Sequence, residues 1–81
     1  MVNQNSLEQL QRQPHVISFL ATAVNEKINF LKAKSSLVKC SAYQERMFLK
    51  FDSIAKDKKL FLGNDTELQN LLELRDLLKA I

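Results

Sequence analysis

Only one glycine, Gly63, and one proline, Pro14, interrupt this chain of 81 residues. Sandwiches and barrels need a tight turn every few residues, and tight turns draw on Gly and Pro for backbone angles that other residues adopt at a cost. A chain so poor in both is expected to be all-α. Its length implies a single helical domain, residues 1–81, at the size where a hydrophobic core is only just large enough to fold unaided. With 46% hydrophobic and 26% charged residues, the composition is that of a packed globule and not of a disordered tail.

Capping signals divide the chain. Ser6 and Gln9 have capping-box spacing, which predicts a short first helix from Leu7 to about Arg12. Pro14 cannot donate a backbone hydrogen bond and disfavours helix at Gln13, so it ends that segment and suits the first turn of a second helix, about Pro14 to Lys34. Ser35 and Ser36 mark a break. A third helix starts near Leu37 or, on the Ser41–Gln44 capping box, near Ala42, and ends near Asp57 because Lys58 would enter its apolar face. Leu60, Phe61 and Leu62 should tuck into the core before Gly63 supplies a left-handed turn position. Thr66 and Gln69 form a third box and open a last helix, Glu67 to about Ala80.

The apolar faces are broad. At about 100° per residue, Val16, Ile17, Phe19, Leu20, Ala23, Val24, Ile28, Phe30 and Leu31 cover roughly half of the second helix. The seven apolar residues of the last helix spread over roughly 220°. The second helix therefore touches two neighbours, and the last exposes more leucine than one neighbour can cover. The third helix is narrower, with Tyr43, Met47, Phe51, Ile54 and Ala55 on one face.

Little here suits catalysis, which needs a nucleophile, a group titrating near neutrality and a stabiliser of developing charge in one place. His15 is the sole histidine and reads as a solvated residue at a helix start; Cys40 aligns with Tyr43 and Met47 and reads as a small core residue. The acidic pairs Glu45 with Asp52, and Glu73 with Asp76, fall on polar faces. No metal-binding, phosphate-loop or dinucleotide motif is present, and the expectation is no enzyme activity and no cofactor. A lone cysteine cannot form an internal disulfide, no run approaches the roughly 18 to 20 apolar residues of a membrane span, and residues 1–13 lack a signal-peptide core. A reducing, cytoplasmic setting follows.

The net charge of +3 is uneven, with a basic middle and an acidic last helix. Lys39, Arg46, Lys50, Lys58 and Lys59 could track phosphates, which makes a small basic DNA- or RNA-binding protein the alternative function, although Glu45 and Asp57 interrupt the row. The surplus apolar surface weighs more. It predicts a small antiparallel bundle of three main helices and a short N-terminal one, completed by dimerisation or by a protein partner. Such a chain would act as an adaptor, chaperone-like or assembly factor, or small regulator. Leu68, Leu71, Leu72, Leu74, Leu78 and Ile81 are the residues expected to carry association, with Leu74→Glu disrupting assembly but not helix formation.

Overall fold

Short polar side chains open three helices by taking backbone N–H groups that a first turn leaves without partners. The computed structural model describes residues 1–33 and 40–81. The expected break at Ser35 and Ser36, the alternative start near Leu37, and Lys34 and Lys39 lie outside the described residues. Helix α1 (Gln4–Leu10) is capped by Asn3, whose side chain accepts from the Ser6 amide at 3.4 Å. Helix α2 (Pro14–Ala33) begins on its proline. Helix α3 (Ala42–Asp57) carries both arms of the Ser41–Gln44 capping box, each 3.1 Å long. Helix α4 (Glu67–Lys79) starts at Thr66, whose hydroxyl accepts from the Gln69 amide at 3.3 Å.

The start of α1 corrects the sequence expectation by three residues. Ser6 is not its cap, because the Ser6 hydroxyl donates instead to the Lys58 carbonyl at 2.5 Å, tying α1 to the end of α3. Beside this tie, the Asn3 amide donates to Leu60 O (2.6 Å) and the Leu62 amide to Met1 O (2.7 Å), forming an antiparallel bridge between Val2 and Phe61. Helix α3 stops as expected near Asp57, and its exit is a Schellman turn. The Leu60 amide returns to Ala55 O at 3.0 Å and the Lys59 amide to Lys56 O at 3.3 Å. That turn needs a left-handed residue, and Lys59 takes it at φ 51° without being glycine. Gly63 adopts φ 83° in the same connection, as its position predicts.

Helix α2 is central and packs against α4, α3 and α1, so its broad apolar arc serves three neighbours. Lys27 on α2 meets Glu67 at the start of α4, and Ala21 and Asn25 share a hollow with Leu78 near its end, so the two helices run antiparallel. The core combines Leu20, Ala23, Val24 and Ile28 of α2 with Met47 and Phe51 of α3 and Leu71, Leu74 and Leu78 of α4. Leu7 and Leu10 of α1 join them, as do Val2 and Leu60 from outside the helices. Full burial of such a side chain contributes about 1.5–3 kcal/mol, so these non-helical residues matter in so small a protein. Leu68, Leu72 and Leu77 pack half-buried against the same core, and the surplus on α4 is in large part covered within the chain. Among the described residues no helix is long and apolar enough to cross a membrane.

Candidate functional site

One charge sits deep in this fold. Lys27 falls within about 20° of both Val16 and Leu20 on the α2 wheel, in the middle of the apolar arc, and is only 8% exposed. Its ammonium lies 2.8 Å from an Asp52 oxygen on α3 and 2.8 Å from a Glu67 oxygen on α4. It also lies 5.5 Å from the ring centre of Phe51 and 5.9 Å from that of Phe48. Burial pushes the lysine pKa down, but the hydrogen bonds and charges of Asp52 and Glu67 outweigh it and hold the group above its ordinary 10.5. An ammonium held charged has no lone pair to offer as a base or a Schiff-base nucleophile. Lys27 is a junction of three helices. The adjoining cleft of about 290 Å³ contains Asp65 as well as Asp52 and Glu67. Its acids are engaged inside the chain, since Asp65 receives the Met1 amino group, which also donates to Asn70 at 2.6 Å.

The opposite situation holds between the N-terminal halves of α2 and α3. There a groove of about 510 Å³ is lined by His15, Ser18, Phe19 and Thr22 from α2 and by Tyr43, Arg46, Met47 and Lys50 from α3. Both sets have the spacing i, i+3, i+4, i+7, which places each on one helical face. Phe48 of the same α3 segment reaches Phe30 near the far end of α2, with ring centres 5.7 Å apart, so α3 crosses α2 and the groove opens on one side of the crossing. Met47 forms the buried floor, Phe19 is half-buried and Tyr43 is 70% exposed. Lys50 Nζ stands 4.6 Å from the centre of the Phe19 ring. No carboxylate lines the groove, and among the described residues His15, Arg46 and Lys50 take part in no ion pair.

The structure therefore splits the residues singled out from sequence. Arg46 and Lys50 come together in the groove. Lys58 and Lys59 lie at the other end of α3, where Lys58 caps the helix and Lys59 borders a separate hollow with Phe61 and Leu62. On α4, Leu71, Leu74 and Leu78 are core residues and Leu68 and Leu72 are half-buried, while Ile81, beyond the end of the helix, is exposed. Since Leu74 is fully buried, glutamate there would strike the fold itself and not an assembly surface alone. Tyr43, expected with the core-facing residues of α3, points instead to solvent at the groove mouth. Cys40 is half-buried and outside the core cluster. His15, Phe19 and Tyr43 went unrecognised as one site, although the mixed basic and apolar stripe at helical spacing was visible on each helix separately. Among the described residues no three His, Cys, Asp or Glu side chains are grouped to hold a metal ion.

Compared with protein-family models, curated proteins and solved structures, the chain matches none.

Proposed function

We propose that this chain is a non-enzymatic protein–protein interaction module, an adaptor or small regulatory protein of the cytoplasm, that docks a segment of a partner protein in the groove between α2 and α3. The observation that carries this reading is the groove itself. It joins exposed and half-buried aromatic surface, from Tyr43 and Phe19, to His15, Arg46 and Lys50, which among the described residues take part in no ion pair. Aromatic residues and arginine are the residue types that dominate the energetics of protein interfaces. The α4 leucines support the same class of function less directly, because three of the six are engaged in the core and a partner would have to open the fold to reach them. The lone cysteine fits a reducing compartment.

Nucleic-acid binding is the weaker reading because the cations are not contiguous. Arg46 and Lys58 are twelve positions apart, about 18 Å along a helix, and Asp57 lies on the Arg46–Lys50 face between them. A photo-crosslinking amino acid at Tyr43, with Lys79 substituted in the same way as a control, tests the proposal in living cells. The expected result is a protein adduct formed from position 43 and not from position 79. Loss of that adduct on nuclease treatment, or equal labelling from both positions, would sink it.

A further inference from the structure

We infer that the partner segment is an acidic amphipathic helix, one that sets leucine-like side chains against Phe19, Tyr43 and Met47 and carboxylates against Arg46 and Lys50. This rests on the reading of the groove as a protein-docking site and adds the chemistry of the occupant. Charge complementarity carries it. Lys27, the buried cation of this core, is neutralised from within by Asp52 and Glu67, and the exposed Met1 amino group pairs with Asp65 and Glu73. The groove cations have no such partner among the described residues, and like-charged neighbours left uncompensated favour an incoming segment of opposite sign. Shape agrees with charge. Two helices crossing leave a trough whose floor is apolar and whose rims are basic, and an amphipathic helix presents an apolar stripe flanked by polar rows. Phosphate would suit the cations equally, but it would leave the half-buried Phe19 and the exposed Tyr43 uncovered.

The test uses the intact 81-residue chain, labelled with ¹⁵N, and three synthetic helical peptides of equal length that share one leucine stripe. Their flanking positions carry glutamate, glutamine or lysine, and a single-stranded oligothymidylate is the fourth probe. The glutamate peptide is expected to shift the amide signals of Ser18, Phe19, Thr22, Tyr43, Arg46 and Lys50. It should bind at least about tenfold more tightly than the glutamine peptide, and less tightly as salt rises. Arg46→Ala with Lys50→Ala, both at exposed positions, should erase that margin while leaving the remaining spectrum folded. Equal binding of the glutamate and glutamine peptides at these residues would overturn the acidic occupant and leave the docking module standing. If no peptide perturbs the groove and the crosslinker at position 43 also captures nothing, both readings fall. Oligothymidylate binding there in place of the glutamate peptide would overturn both in favour of nucleic acid. A dimer mass by light scattering that is lost in Lys50→Glu would overturn the inference by making a second copy the occupant.

Discussion

Lys27 and Lys50 both rest against phenylalanine rings, yet they do opposite things. Lys27 is buried, held by one carboxylate from α3 and one from α4, and locks three helices together. Lys50 is exposed, stacks on Phe19, and stands in a groove that no acid among the described residues lines. A charge satisfied within the chain belongs to the scaffold, whereas a charge held in place by an aromatic ring but left without a counter-charge is available to something else. The difference between the two regions is thus one of electrostatic closure, not of composition.

The strongest way to break the comparison is to give Lys27 the electrostatic condition of Lys50. Asp52→Asn with Glu67→Gln leaves a buried ammonium without counter-charge and should cost about 3 kcal/mol of stability in urea unfolding. Lys27→Met should cost less, about 1 kcal/mol, because both carboxylates are more than half exposed and return to water once the lysine is gone. An equal loss in the two variants would mean that the junction works by packing and not by charge. Titration sharpens the same point. The folded-state pKa of Lys27 is raised, so its contribution is complete below the unfolded value of 10.5 and disappears as pH climbs from there through the higher folded value. Unfolding midpoints of the parent protein and Lys27→Met should therefore converge above pH 10.5 and stay separated at neutral pH.

A smaller effect isolates the end of α3 remote from the groove. Lys59→Gly should stabilise the fold by about 0.5–1 kcal/mol by relieving the left-handed backbone, with no change in peptide binding to the groove. Smallest of all in stability is Lys50→Ala, expected to stay within about 0.5 kcal/mol of the parent, since an exposed cation–aromatic contact is worth little. A large loss there would place Lys50 in the scaffold with Lys27 and erase the distinction.

Much of the helical framework was legible because capping is local. Ser41, Thr66 and Pro14 each announce a helix start within four residues, and all three starts stand where their chemistry puts them. Asn3 was missed as a cap because Ser6 offers the stronger local pattern, and only the distant Lys58 carbonyl draws that hydroxyl away. The excess leucine of α4 was visible, and Leu60 was expected in the core, but the part played by Val2 was not, since it reaches the core through a pairing with Phe61 that no periodicity predicts. Lys27 was readable as a cation in the centre of an apolar arc, and its two acids were not, because they come from other helices. The groove was illegible for the same reason. Each of its stripes is plain on its own helix, and only the crossing of α2 with α3 makes them one surface.

The bridge between Val2 and Phe61 has a consequence for the order in which the molecule assembles. Helices form from neighbours in microseconds or less, whereas a contact between positions 2 and 61 must wait until a loop spanning most of the chain has closed. The clasp is therefore a late event in folding and an early one in opening. The amides of Asn3 and Leu62, which hold it shut, would exchange with solvent before those of mid-α2, and each opening would briefly loosen the cover over Leu60 while the helices stay paired.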